Sequence, residues 1–407
     1  MTSSVRGTPA RVVSGSVMRV VVVHNRYVSA VPSGENEVVK DEMALLESAG
    51  VEVHPYLRDS DEIAAFGPVG RARLAVRPVR SGEDVRAFDA LLARVRPDVV
   101  HLHNPYPLIS PWLIRTAAAR GVPVVQTVHN YRMSCMAGSF YRDGKPCEDC
   151  LGKMLPLPGV LHGCYRGSRV QSIPMAAALT VHRRTWPRVA RFLPLTSFMA
   201  SKLMAAGVPA EQITVRPNAA ADPGEPAPPG KGFFFAGRFD REKGVLLLLE
   251  AWRRSGLDSH ETLVIAGDGH YREQVRREAA ALHGVTLTGA VSRDKVGRLM
   301  SAAGVVVVPS LGYEGFPRIV VEAFARARPV LVSDLGALPE LVDDAVGWRA
   351  AAEPESMGRG LAAAAAGDQP ARGARARRRF LDRYTPERVL QQLLSVYGEV
   401  ARGTVPR

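Results

Sequence analysis

A chain of 407 residues is too long for one core of ordinary size, so two domains are expected. Its 46% hydrophobic and 23% charged residues describe a globular protein; with no run of about 18 apolar residues and no apolar leader, neither a membrane span nor secretion is expected. The net charge of +13 is uneven: 27 basic against 17 acidic residues up to residue 217 carry +10 of it, which points to an anionic surface or phosphorylated acceptor near the first half, or to a merely solvated face.

In chain order, residues 1–17 read as a disordered tail. MRVVVVHN (18–25) is a β-branched run of the buried parallel-strand kind. A Pro/Gly loop and a helix ended by Gly50 follow. Further strands are expected at 51–57, 98–104 and 123–130. Helices separate them, one with Ser110 as N-cap and Pro111 at its first position. Alternating strands and helices predict a doubly wound α/β domain over 18–217. Residues 131–172 break the rhythm as an insert holding all four cysteines. VHRRTWPRVARF (181–192) reads as a basic helix able to lie on a membrane surface or to pack internally. The Pro- and Gly-rich stretch 218–232 reads as a linker. A second α/β series runs over 233–380, and 381–407 forms a terminal helix and tail. The expected architecture is two Rossmann-like doubly wound domains facing a cleft, with ligands at the carboxyl ends of the strands.

Several strand ends carry chemistry. EGFPRIVVE places Glu314 on a loop and Glu322 inside the next helix, with Pro317 at the first helical position. A carboxylate at 322 can accept from two neighbouring hydroxyls, as on a ribose. The amides of Gly315 and Phe316 can bond sugar hydroxyls, and Gly315 lets backbone approach a ligand. The bland alternative is one solvated glutamate and one helix-dipole glutamate. GRFDREKG sets Arg238 and Lys243 on one loop, which suits a diphosphate or is ordinary surface charge. AGDGHYREQV brings Gly267 to a turn whose backbone can approach a phosphate or base. No G-x-G-x-x-G opens either domain, which disfavours a dinucleotide oxidoreductase. His129 ends the strand TVHN, and His101 and His103 of HLHNP share one face of the preceding strand. Each can bond a sugar hydroxyl or be satisfied by backbone. PSGENEVV offers Gly34 at a helix start, near a phosphate or in a plain turn.

Taken together these stretches resemble the retaining glycosyltransferases of family 4, with the GT-B fold, over nearly the whole chain after about residue 18. The most specific marker is the pair Glu314 and Glu322 separated by seven residues. The resemblance implies that Arg238 and Lys243 hold a donor diphosphate, that Glu322 binds the nucleotide ribose and that Glu314 contacts the donor sugar. It implies that His129 lies beside the transferred sugar and the Gly34 loop near the phosphates. Ser33 stands where the family often has the first glycine of a Gly-Gly pair. The implied activity is transfer of a hexosyl unit from a UDP- or GDP-sugar to a glycan, lipid-linked or small-molecule acceptor. A cytoplasmic location is expected, with peripheral contact at the inner face of a membrane allowed and no nucleic-acid partner. No cofactor is expected for catalysis, and no Asp-x-Asp triplet is read at a strand end to demand a divalent metal.

Cys135, Cys147, Cys150 and Cys164 lie within about 30 residues and include one C-x-x-C. They fit a structural zinc site, unligated thiols or a redox pair. The alternatives to a transferase are a nucleotide-sugar epimerase on the same fold and a basic protein that binds anionic surfaces.

Overall fold

Hydrophobic runs buried on both faces become strands. The computed structural model describes residues 17–30 and 33–403, so the expected tail, apart from Val17, lies outside the described residues, as do Val31 and Pro32. The strands among the described residues are β1 (Arg19–Arg26), β2 (Glu52–Asp59), β3 (Val99–Leu102), β4 (Val124–Val128), β5 (Tyr141–Arg142), β6 (Lys145–Pro146), β7 (Arg191–Pro194), β8 (Phe233–Ala236), β9 (Leu263–Ala266), β10 (Val285–Gly289), β11 (Val305–Val308), β12 (Val330–Ser333) and β13 (Gly347–Ala350). β3, β4, β11 and β12 are buried at every residue, as helix-covered parallel strands must be.

The chain divides into two units. The first holds the residues up to Gly138, Glu148–Pro217 and those from Val389 onward; the second holds Ser139–Cys147 and Asn218–Arg388. In the first, the sheet order is β2-β1-β3-β4-β7, every pair parallel. Its core joins Val20, Val22, Val99 and Val125 to Leu393, Val396, Tyr397 and Val400 of the last helix, Pro386–Arg402. In the second, the order is β10-β9-β8-β11-β12-β13, again parallel, over a core around Phe233, Leu248, Trp252, Val305 and Leu361. The order reverses between β1 and β3 in the first sheet and between β8 and β11 in the second. Such switch points open a crevice at the strands' carboxyl ends.

The structure departs from expectation in five places. The last helix completes the first unit's core. The β5–β6 hairpin, within the cysteine-bearing insert, belongs to the second unit. The stretch 181–192 is no single helix: the helix Arg169–His182 ends there, Trp186–Arg188 forms a 3₁₀ turn and β7 begins at Arg191. Pro187 cannot extend a helix into that turn. Residues 218–232 form no helix or strand, yet belong to the second unit. The Arg328 guanidinium donates to the carbonyls of Ala227 (3.0 Å) and Pro228 (2.6 Å), and Arg377 pairs with Asp222 at 2.7 Å. Finally, Pro111 and Pro317 are N-caps, one residue before their helices, rather than first helical residues.

Candidate functional site

The second unit's switch point is built by two loops. After β8 the chain passes Arg238, makes a 3₁₀ turn at Arg241–Lys243 and enters the helix Val245–Ser255 at Gly244. After β11 it passes Ser310 and Glu314 to the helix Arg318–Ala325. Gly244 has φ 71°, and a Cβ there would lie 1.8 Å from the Pro309 carbonyl oxygen. Only glycine lets the two loops meet this closely. Across that contact Lys243 Nζ donates to both carboxylate oxygens of Glu314, at 2.9 and 3.0 Å, and Ser310 Oγ donates to Oε1 at 2.6 Å. Burial opposes both charges, but the pairing outweighs it: Lys243 is raised above its ordinary value and Glu314 lowered below its own. The result is a fixed, protonated ammonium at the sheet's carboxyl edge.

The other expected residues of this unit lie on the loops and helices that follow its strands. Arg238 is exposed and pairs with Asp240 (3.2 Å) and Glu242 (3.3 Å). Burial raises the Glu242 carboxyl despite Lys243 beside it. Gly267 follows β9 with φ 150°, and a Cβ there would lie 1.9 Å from the Gly237 carbonyl oxygen. Phe316 is buried edge-on to Tyr384, with Gly315 before it on the loop. Glu322 is on the helix after that loop, 3.6 Å from Arg318 and 3.7 Å from Arg293. Glu314 and Glu322 therefore serve two different cation clusters.

In the first unit a histidine array occupies the carboxyl ends of β3 and β4. His129 Nε2 is 2.9 Å from His103 Nδ1, and His103 Nε2 faces Glu42 Oε1 at 3.3 Å. His101 Nδ1 meets the Tyr397 hydroxyl at 2.6 Å and Glu42 at 3.1 Å, with Nε2 2.8 Å from Thr127 Oγ1. Arg216 bonds the other Glu42 oxygen. Burial disfavours charge on Glu42, yet Arg216 and His101 hold it well below the ordinary carboxylate range. Between His129 Nε2 and His103 Nδ1 one ring nitrogen donates and the other accepts. Burial, and next His103, keep His129 well below its ordinary value and hence neutral. A small cavity beside it is lined by Glu35, Tyr106, Gln126, His129 and Arg132 among others. Burial raises the Glu35 carboxyl from 4.5 to about 7, although Tyr27 donates to it at 3.1 Å. Gly34 opens the helix Gly34–Ser48 with Ser33 as its cap, and Glu35 and Glu37 already occupy that helix's positive end.

Two family descriptions match this chain in tandem: "Glycosyl transferase 4-like domain" over residues 33–219 and "Glycosyl transferases group 1" over 230–366. The chain belongs to the family 4 glycosyltransferases. The glycosyltransferase relatives agree. An uncharacterized glycosyltransferase of Methanocaldococcus jannaschii is 35% identical over 137 residues, 32% of this chain and 35% of its own. The phosphatidyl-myo-inositol mannosyltransferase of Mycobacterium leprae is 27% identical over 253 residues, 61% of this chain and 58% of its own. The chain thus spans about a third to three-fifths of the length of these curated relatives. The fold is shared with Anabaena HepE, solved in complex with UDP, at TM-score 0.64 and 15% identity, covering 94% of this chain and 100% of that one. The two parallel-sheet α/β domains are those of GT-B glycosyltransferases.

Sequence reading missed Glu42, Arg216 and Tyr397. Glu42 was detectable: it lies on the same helix stripe as buried Val38, Val39 and Leu46, where a charge needs a partner. Arg216 and Tyr397 carry no such local signal. The reading also passed over Asp59-Ser60-Asp61 at the end of β2. These groups are engaged locally: Asp59 caps the next turn, Ser60 donates to the Arg26 carbonyl and Asp61 accepts from Ser29 N–H. The four cysteines are half-buried and none is in a disulfide; Cys135, Cys150 and Cys164 belong to the first unit and Cys147 to the second.

Proposed function

We propose that this chain moves a hexosyl unit from a UDP- or GDP-sugar to a hydroxyl of a glycan, lipid-linked or small-molecule acceptor, with retention of configuration. The observation that carries this is the Lys243–Glu314–Ser310 cluster at the second sheet's switch point. A UDP complex of a protein with the same fold supports the nucleotide class.

In this reading the second unit binds the donor. Lys243 is protonated and held in position, and Arg238 lies on the same loop. Both trade carboxylate partners for the diphosphate, so the leaving group meets cations already in place and no divalent metal is required. Glu322 accepts from the ribose hydroxyls, and the amides around Gly315 and Phe316, with Glu314, meet the sugar. The Gly267 backbone approaches the base or a phosphate. On the first unit, neutral His129 bonds a sugar hydroxyl, with Gly34's loop near the phosphates. The acceptor oxygen bonds to the anomeric carbon on the face from which the nucleotide leaves. The carbon–oxygen bond to the diphosphate breaks, and a diphosphate oxygen takes the acceptor's proton. Metal analysis of protein kept from chelators tests the structural zinc expected of the cysteines, at about one per chain. The protein acts in the cytoplasm.

A thermal-shift screen against UDP-, GDP- and ADP-sugars, followed by donor turnover with and without acceptor, tests this. Lys243→Ala and Glu322→Ala are expected to lower turnover by about a hundredfold or more while the protein stays folded. Near wild-type turnover in either would overturn the site. Donor conversion without acceptor would favour an epimerase.

A further inference from the structure

From Cys150 to Ala210 the first unit carries no Asp or Glu, yet eight Lys and Arg residues. The same stretch holds a cluster of exposed large apolar side chains. The short helix Leu157–Leu161 packs against the helix Arg169–His182. Its inner face is fixed by Gly159, against Met136, and by Val160, in a core with Tyr106 and Met175. Its outer face therefore presents Leu157 and Leu161, one turn apart and 49% and 56% exposed. On the longer helix Met175, Ala176 and Leu179 are buried, which turns Val170 (77% exposed) and Ile173 (58%) outward. The preceding segment is stapled to the same helix: Thr180 Oγ1 donates to the Met154 carbonyl at 3.1 Å and Arg183 to the Lys153 carbonyl at 3.1 Å. Met154 and Leu155 are exposed there as well. Lys153, Arg166 and Arg169, in the same stretch of chain, are exposed as well.

We infer that this face, Lys153–Ile173, docks on an anionic lipid bilayer, with Leu157, Leu161, Val170 and Ile173 entering the headgroup region and Lys153, Arg166 and Arg169 meeting lipid phosphates. The charge decides the occupant. A self-associating or protein-binding apolar face has no need of a chain stretch of 61 residues without an acid, whereas an anionic membrane attracts each basic residue and repels each acidic one. None of the helices among the described residues is long and apolar enough to cross a membrane, so the contact is peripheral. It places the first unit at a surface where lipid-linked acceptors reside. The inference does not depend on the donor chemistry.

Co-sedimentation of the full-length protein with phosphatidylglycerol-containing and pure phosphatidylcholine vesicles tests it. Binding to the anionic vesicles is expected, weakening with salt and at least tenfold weaker on phosphatidylcholine. The exposed-site double variant Leu161→Asp/Ile173→Asp should lose at least tenfold in vesicle binding with an unchanged melting temperature. Arg166→Gln/Arg169→Gln serves as a second variant, expected to weaken binding and flatten the salt dependence. Equal binding to both lipids, wild-type binding by both variants, or a dimer that the aspartates dissociate would each overturn the inference. Soluble-donor turnover should be unaffected, so a failure here and a failure of the transferase reading are told apart.

Discussion

Buried histidines set the acid response of this protein. His24, His103 and His182, ordinarily near 6.5, stand at about 3, 4 and 4, in each case chiefly through burial. Below 6.5 the unfolded chain takes up protons that the folded chain refuses. Stability is therefore fully present above 6.5 and lost progressively toward pH 4. Glu35, raised from 4.5 to about 7, acts in the opposite sense: it favours the fold below 4.5 and loses that contribution as pH rises through 7. Three histidines outweigh one glutamate, so the melting temperature should fall between pH 6.5 and 4. His182 lies outside the array, bonded to the Pro78 carbonyl and to Thr185. A His182→Gln variant should show a shallower profile by about one proton. A profile with wild-type slope would mean that His182 titrates normally in the fold.

Among the elements, the contact between the β8 and β11 loops decides whether the proposed donor site can form. Gly244→Ala puts a side chain against backbone at Pro309 and forces a non-glycine residue into the left-handed region, at about 1–2 kcal/mol for the conformation alone. The carbonyl cannot rotate away as a flexible side chain would, so the loops must part and carry Lys243 from Glu314. Gly244→Ala is expected to lower the melting temperature and weaken nucleotide-sugar binding together, as read by thermal shift with and without ligand. Loss of stability with wild-type affinity would show that the site tolerates the separation. The stretch 218–232 teaches a related lesson. Its composition suits a tether, but Arg328 and Arg377 fasten it to the second unit.

At the scale of the whole molecule, the C-terminus completes the N-terminal unit. Leu393, Val396, Tyr397 and Val400 are buried in the first core. At roughly 1.5–3 kcal/mol each they contribute about 6–12 kcal/mol, comparable to the 5–15 kcal/mol stability of a typical domain. Truncation after Arg388 should therefore unfold the first unit rather than trim a tail. Hydrogen exchange would show it as lost protection at β1 and β3. Retained protection there would mean that the core closes without the helix. Tyr397→Phe is a milder probe: it leaves His101 Nδ1 without its hydroxyl partner, at about 1–3 kcal/mol.

The strands, the alternation that made two α/β domains, and the order of Arg238, Lys243, Glu314 and Glu322 were legible in the sequence, because burial period and strand-end position are local properties. Three things were not. Glu314's pairing with Lys243, the Glu42–Arg216–Tyr397 support of the histidines and the return of the last helix to the first core join residues 71, 174 and up to 296 positions apart. Side-chain periodicity carries no signal across such separations. Those partners were chosen by the strand order, which brings distant loops to one edge of a sheet and leaves each buried charge to find its counterpart there.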